Sequence, residues 1–253
     1  MGIFQKIRTI NRGIAYDIFI PVVAKKIVSG GLLLLPGIPG CPEKNSAAVT
    51  LSKNGFLVVV PQYTGTFDSK GVFNLKNCVD TAESGWKFVT SDKFQKKYLQ
   101  TSKIKVKKWI LAGNSFGGTI ALLTKIKNND LLLIAPAVPD YYSKKNLLSL
   151  LNFIKKNYPL TYRINKVENV IKDFSETNLE YIGKNKKENI DKRVFLIYGL
   201  RDTTVPPSLL SLWLKKKSFD KNKLKTFSVR KGNHESESLL SEKSIKAIKK
   251  LFF

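Results

Sequence analysis

The sequence sets one serine between glycines in a spacing that suits nucleophilic chemistry. Residues 113–118 read Gly-Asn-Ser-Phe-Gly-Gly, so Ser115 has a glycine two positions before it and another two positions after it. A serine held on a sharp strand-to-helix turn needs small neighbours at those places, because larger side chains would collide there. Its hydroxyl would be exposed at the positive end of the helix dipole. The spacing favours Ser115 as a nucleophile for acyl transfer.

The alternative for this motif is a glycine-rich turn that binds a phosphate group. Such turns usually read G-x-G-x-x-G, or end in Gly-Lys-Ser/Thr, and the sequence contains neither pattern. The nucleophile hypothesis is therefore preferred.

A base and an acid that could serve Ser115 follow it along the chain. His234 is the one histidine and comes after the last predicted strand; histidine exchanges protons near neutral pH and can carry one from nucleophile to leaving group. Asp202 lies just past another predicted strand and could orient the imidazole. The alternatives are that His234 is an incidental surface residue and that Asp202 only caps the following helix. The order Ser, Asp, His favours a catalytic triad.

A tetrahedral intermediate also needs backbone N–H donors for its oxyanion. We expect one from Phe116, directly after the nucleophile, and a second from residues 36–40, which read Pro-Gly-Ile-Pro-Gly. Pro39 has no amide hydrogen, which leaves Gly37, Ile38 and Gly40. Our choice is Ile38. The alternative is that residues 36–40 form a plain strand-to-helix turn.

Short apolar runs alternate with stretches of helical period along most of the chain. The runs are apolar without alternation, a pattern typical of parallel strands covered on both faces. The sequence therefore predicts an α/β fold with a mostly parallel central sheet, helices on both faces, and a ligand site at the carboxyl ends of the strands. The predicted strands are 16–23, 31–35, 56–60, 108–112, 131–135, 194–198 and 224–229; the predicted helices are 43–54, 78–90, 117–127, 206–216 and 235–251.

Residues 139–192, called the insertion below, depart from this alternation. They contain amphipathic helical stretches but no convincing strand, and a structureless loop of that length is improbable. We predict a mobile helical cap over the site, with Tyr141 and Tyr142, near its start, lining the substrate pocket. The alternative is a purely structural excursion that covers a sheet edge.

Charge is the unusual bulk property of the chain. The formal net charge is +25, which suggests attraction to nucleic acid or an anionic membrane. Only six of the 44 basic residues are arginine, however, and specific phosphate and base recognition favours the planar arginine fork. We expect no specific nucleic-acid partner. A non-catalytic binding protein with a basic surface remains the alternative from another class.

Length and cysteine content limit the remaining options. The 253 residues, 43% of them hydrophobic, suit one domain spanning the whole chain. Cys41 and Cys78 give neither a disulfide framework nor a metal-ligand cluster, so we expect no metal and no cofactor. The N-terminus lacks the apolar segment of a signal peptide, and no apolar run reaches the ~20 residues that span a bilayer. We therefore predict a cytoplasmic protein.

Together these motifs resemble the serine α/β-hydrolases, especially the branch related to prolyl-oligopeptidase catalytic domains and dienelactone hydrolases. Residues 199–206 are similar to the family's acid segment, G-x-x-D-x-x-V-P, and residues 61–71 to its segment P-x-Y-x-G-x-x-x-S-x-G. Asp80 falls where the family often has an acidic residue in the next helix. The resemblance covers nearly the whole chain and implies the α/β-hydrolase fold.

The resemblance also indicates a reaction. The family's oxyanion segment usually reads His-Gly where this chain has Pro36-Gly37, and the serine at the nucleophile position distinguishes it from members that use cysteine or aspartate. The resemblance implies hydrolysis of carboxylic esters through an acyl-enzyme, with a small-molecule ester or short acyl amide as substrate. A small serine peptidase or acylaminoacyl hydrolase is the alternative; the oligomeric state stays open.

Overall fold

The apolar runs of the sequence become the strands of one central sheet. The structure is a computed structural model that describes residues 2–22, 28, 30–100, 104–127, 129–138, 141–184, 192–216 and 222–253. Within these residues the sheet has eight strands in the order β1-β2-β4-β3-β5-β6-β7-β8. The strands are β1 (Ile3–Asn11), β2 (Ile14–Val22), β3 (Gly30–Leu35), β4 (Phe56–Pro61), β5 (Trp109–Asn114), β6 (Leu131–Ile134), β7 (Val194–Gly199) and β8 (Leu224–Val229).

The direction of the strands confirms the predicted fold class. The six strands from β3 to β8 all run parallel to their neighbours within this group. β1 and β2 form an antiparallel edge, in which β2 pairs with β4. Parallel strands are joined by crossovers that place helices on the sheet faces. The chain therefore has an α/β fold with a mostly parallel central sheet.

Burial on both faces explains why the strands read as continuous apolar runs. Along β3, Leu32 and Leu34 pack in the core on one face, while Leu33 and Leu35 pack in the core on the other. All four side chains are completely buried. A strand that is covered on both sides has no solvent-facing position, so alternation disappears from its sequence.

Helices cover both faces, as predicted. The helices are α1 (Ser46–Lys53), α2 (Leu75–Val89), α3 (Asp92–Phe94), α4 (Phe116–Leu123), α5 (Lys144–Asn157), α6 (Val167–Lys184), α7 (Pro207–Lys216), α8 (Ser236–Leu239) and α9 (Glu242–Phe252). The buried residues of α1, α8 and α9 join one core, and those of α2 to α7 join the other.

Three predicted helices differ from the structure, and the one predicted over 43–54 is shorter, since α1 spans only Ser46–Lys53. The helix predicted over 117–127 ends at Leu123, because Thr124 has extended backbone angles and its hydroxyl donates to the Ala121 carbonyl oxygen. The helix predicted over 235–251 divides into α8 and α9. Ser241 is extended and its side chain accepts from the Ser244 N–H, so it caps the start of α9.

The edge strand β1 is an element that the sequence reasoning missed. It pairs with β2 across a two-residue turn at Arg12 and Gly13, where φ is 51° and 80°. A tight hairpin needs this left-handed backbone at both turn residues, and glycine adopts it freely. The π-helical turn Gln95–Gln100 was missed as well.

The insertion forms two helices, α5 and α6, as its apolar periodicity predicted. Leu147, Leu151 and Ile154 of α5 and Phe174 of α6 are buried in the same core as α2 and α4. Its predicted ends, at residues 139–140 and 185–191, lie outside the described residues, as does residue 23 at the predicted end of β2.

Candidate active site

Ser115 occupies a strained turn between β5 and α4. Its backbone has φ 51° and ψ −118°, outside the regions that non-glycine residues prefer. A Cβ on Gly113 would overlap the Gly117 carbonyl oxygen, and a Cβ on Gly117 would overlap the Leu35 carbonyl oxygen. Gly113 is therefore needed by the close packing within the turn, and Gly117 by the close packing of the turn against the end of β3.

His234 lies between Ser115 and Asp202. Its Nε2 is 2.9 Å from the Ser115 Oγ, and its Nδ1 is 2.7 Å from the Asp202 Oδ2. The tautomer that satisfies both contacts carries the proton on Nδ1, which donates to the carboxylate, and leaves Nε2 to accept from the serine hydroxyl. The structure thus brings together the three residues that the sequence analysis selected. Such a chain can transfer a proton away from the serine as it attacks.

Both carboxylate oxygens of Asp202 are engaged, but the N–H groups that it binds precede α7, which begins at Pro207, so the contacts are not a cap of that helix. Its Oδ2 contacts His234, while its Oδ1 accepts from the N–H groups of Thr204 and Val205, at 2.9 and 2.8 Å. The residue is 5% exposed. A buried carboxylate with both oxygens engaged has a fixed orientation, and it fixes the imidazole in turn.

The loops that carry Asp202 and His234 are packed against each other. The Arg201 N–H donates to the Gly232 carbonyl oxygen at 2.9 Å, and a Cβ on Gly199 would overlap that same oxygen. On the serine side, the Asn114 amide donates to the Ser236 hydroxyl at 3.0 Å. Sequence reasoning missed these supports, because residues up to 122 positions apart give no local signal for such contacts.

The turn at residues 36–40 lies beside the nucleophile. A Cβ on Gly37 would be 3.2 Å from the Ser115 Cβ. Within the described part of the chain, the backbone N–H groups of Ile38 and Phe116 have no hydrogen-bond partner. The Phe116 ring is buried against Tyr63 and Phe174, which fixes the backbone that precedes it. Neither predicted donor is therefore occupied by another group of the described residues.

The two tyrosines predicted to line the substrate pocket have different surroundings. Tyr142 packs between the rings of Phe116 and Phe174, and its hydroxyl lies 3.3 Å from the Thr119 Oγ1. Burial raises its pKa. Tyr141 is half-buried at the start of the insertion, and its pKa is raised by burial and by the negative charge of Asp202. Of the two tyrosines, Tyr141 is thus the one whose pKa is affected by the charge of Asp202.

A small cleft that is partly open to solvent adjoins the same turn. Its wall is mainly apolar and includes Tyr162 from the insertion, a residue that the sequence analysis did not select. Burial raises the pKa of Tyr162 and of Tyr63, so both stay neutral hydroxyls. The remaining lining residues are Pro36, Gly37, Gly40, Cys41, Pro42, Asn45, Val60, Pro61, Gln62, Thr66 and Phe67.

Across the described ranges, no group of three or more His, Cys, Asp or Glu side chains could hold a metal ion. None of the helices in that same part of the chain has the length and apolar character needed to cross a bilayer.

Comparison with solved structures places this geometry in a known fold. An esterase from Pyrococcus furiosus is 16% identical with a TM-score of 0.61, covering 98% of this chain and 89% of its own. Mouse alpha/beta hydrolase domain-containing protein 10 is 15% identical with a TM-score of 0.59, covering 97% and 95%. An alpha-beta serine hydrolase homologue from Coxiella burnetii is 14% identical with a TM-score of 0.59, covering 98% and 97%.

These likenesses extend over almost the full length of each chain and show a shared α/β-hydrolase fold. Neither a protein-family model nor a curated protein matches the sequence.

Proposed function

We propose that the protein is a serine hydrolase that cleaves carboxylic esters through an acyl-enzyme. The observation that carries this proposal is the unbroken hydrogen-bond chain from the Ser115 hydroxyl through His234 to the buried Asp202 carboxylate. A structural role for these groups would not need an imidazole between a strained serine and a carboxylate.

The first half of the reaction forms the acyl-enzyme. The Ser115 Oγ attacks the ester carbonyl carbon while His234 Nε2 takes the hydroxyl proton, and Asp202 stabilises the resulting imidazolium. The carbonyl oxygen becomes an oxyanion, which the N–H groups of Phe116 and Ile38 bind. When the intermediate collapses, the carbon–oxygen bond to the alcohol breaks and His234 returns the proton to the leaving alkoxide.

The second half releases the acid. Water attacks the acyl-enzyme carbonyl, His234 takes a proton from that water, and the same donors bind the second oxyanion. Collapse breaks the bond to Ser115, whose Oγ regains the proton from His234. His234 accepts and returns the proton in each transfer of this cycle.

We favour esters over amides because an alkoxide leaves more readily than an amide nitrogen, and because one neighbour of the same fold is described as an esterase. The proposed substrate is a small ester. We also propose, from the motif resemblance, that the chain is related to the prolyl-oligopeptidase and dienelactone-hydrolase branch. The alternative is a peptidase or acylaminoacyl hydrolase of the same mechanism, which would cleave amides faster than esters.

The test is turnover of p-nitrophenyl esters of increasing acyl length and of aminoacyl p-nitroanilides. We expect the esters to be hydrolysed faster, and Ser115→Ala to lower kcat by about 10⁵-fold or more. Asp202→Asn should cost about 10²- to 10⁴-fold, because nucleophile and base remain. Glu235→Gln, an exposed carboxylate next to the histidine, is the matched control and should be unchanged.

Three results would contradict the proposal. Unchanged kcat in Ser115→Ala would exclude the mechanism, and loss of activity in Glu235→Gln but not in Asp202→Asn would exclude the acid. Faster cleavage of anilides than of esters would replace the esterase by the peptidase.

A further inference from the structure

The turn at residues 36–40 decides where the proposed Ile38 donor lies. The turn folds back on itself, since a Cβ on Gly40 would be 2.6 Å from the Gly37 carbonyl oxygen. A donor stabilises an oxyanion only at hydrogen-bond distance from it, and a misplacement of about 1 Å can cost on the order of 100-fold in rate. Contacts that hold this turn therefore bear on catalysis.

Two tyrosine hydroxyls hold the two ends of the turn. The Tyr63 hydroxyl donates to the Pro36 carbonyl oxygen at 3.0 Å, and the Gly40 N–H donates to the Tyr162 hydroxyl at 3.2 Å. Both tyrosines are buried, at 2% and 5% exposure. Tyr63 follows β4 of the central sheet, whereas Tyr162 belongs to the insertion. The far end of the turn is thus held by a residue outside the sheet.

Tyr162 is itself fixed by backbone pairing with the loop after β4. It forms an antiparallel bridge with Thr66. On either side of it, the Phe67 N–H donates to the Thr161 carbonyl oxygen and the Arg163 N–H donates to the Gly65 carbonyl oxygen, at 2.9 and 2.8 Å. These bonds leave the segment little freedom to slide along the loop.

Side chains add to this pairing. The Arg163 guanidinium donates to the carbonyl oxygens of Phe67 at 3.1 Å, of Gly71 at 3.2 Å and of Ser69. The Tyr162 ring packs edge-on against Phe67 and Phe73, with ring centroids 5.9 and 5.2 Å apart. The hydroxyl of Tyr162 is therefore presented to Gly40 by a rigid support.

We propose that Tyr162 is a positioning residue that holds the oxyanion-binding turn in place through its hydrogen bond to the Gly40 N–H. The inference rests on the proposed function. It gives the insertion a role in the chemical step, which differs from gating substrate and from covering a sheet edge.

The experiment compares Tyr162→Phe with Tyr158→Phe on the ester that the wild-type protein hydrolyses best. Tyr158 belongs to the same insertion and its ring contacts Tyr162, but its hydroxyl has no hydrogen-bond partner among the described residues. We expect Tyr162→Phe to lower kcat by about 3- to 10-fold with KM unchanged, as when a neutral hydrogen bond that acts only on the transition state is lost. Tyr158→Phe should match the wild type, and both variants should melt at similar temperatures.

Two further measurements separate positioning from a general structural effect. A trifluoromethyl ketone that adds to Ser115 carries an oxyanion, so its affinity for Tyr162→Phe should fall by the same factor as kcat/KM. Hydrogen exchange of the peptide containing Gly40 should become faster in Tyr162→Phe only, because its N–H has lost an acceptor.

The outcomes are distinguishable. Equal kcat in Tyr162→Phe and wild type, equal losses in both variants, or a loss that follows a fall in melting temperature would overturn the inference while leaving the esterase proposal intact. A wild-type protein that hydrolyses neither esters nor anilides would overturn the proposed function, and this inference with it.

Discussion

The backbone of Gly37 lies against the side chain of Ser115. A Cβ at Gly37 would be 3.2 Å from the Ser115 Cβ and 3.8 Å from its Oγ. The first distance is shorter than an ordinary contact between carbon atoms, which is about 3.5–4.0 Å. Any side chain at position 37 would therefore push on the serine or on the turn that carries the proposed Ile38 donor.

Gly37→Ala tests this contact. We expect kcat to fall by about 10-fold, because the added methyl group displaces the hydroxyl and the donor by a few tenths of an ångström. Gly85→Ala is the control: its Cβ would meet the Leu33 methyl groups at a similar 3.3 Å, but inside α2 and away from the triad. Steady-state kinetics on an ester measure both. Equal kcat in the two variants would show that the contact does not affect the reaction.

Tyr142 and Tyr141 should respond differently to truncation. Tyr142→Ala removes a ring packed between Phe116 and Phe174, so we expect the free energy of unfolding to fall by about 2–4 kcal/mol. Tyr141→Ala, with a half-buried side chain, should cost less stability and instead change KM or the preferred acyl length. Denaturant unfolding and an ester series measure the two effects. Equal destabilisation, with an unchanged acyl preference in Tyr141→Ala, would remove Tyr141 from the predicted pocket.

Asp130 should stabilise the fold in a pH-dependent way. Burial alone would raise its pKa, but hydrogen bonds from Arg193, at 2.6 Å, and from Lys108 lower the pKa below its ordinary 3.8. A lowered pKa in the folded state gives stability that is complete above the unfolded value and is lost as pH falls through the folded value. Asp130→Asn should therefore melt about 2–4 °C lower at pH 7, and this difference should shrink below about pH 4.

The control for Asp130 is Asp80→Asn, which breaks an exposed i,i+4 pair with Lys76 and should hardly change the melting temperature. Melting curves from pH 7 down to pH 3 test both. A difference between wild type and Asp130→Asn that stays constant or grows toward low pH would contradict the account.

The sequence predicted the parts of this molecule whose causes are local. Gly113 is needed by the tight turn at Ser115, and the apolar run of β3 reflects burial on both faces, so each can be deduced from a few adjacent residues. The fold class followed from the alternation of such apolar runs with stretches of helical period. The residues of the triad follow predicted strands whose carboxyl ends share one edge of the sheet, which is why their proximity could be anticipated.

The sequence did not predict what depends on distant packing. β1 was missed because it is a half-exposed edge strand, and its turn at Arg12-Gly13 lacks the more usual Asn-Gly signal. The bond between Gly40 and Tyr162 joins residues 122 positions apart, and the pairing of Tyr162 and its neighbours with the loop after β4 brings them together. Nothing in the residues around Tyr162 marks it as a neighbour of the site.

The most direct test of the central claim is covalent labelling of the nucleophile. A fluorophosphonate loses fluoride when an activated serine attacks its phosphorus, and it forms a stable ester with that serine. Intact-mass measurement should show one added group per chain, and peptide mapping should place it on Ser115. The Ser115→Ala variant should stay unlabelled under the same conditions. Equal labelling of Ser115→Ala, or a label on another residue of the wild-type protein, would contradict the account.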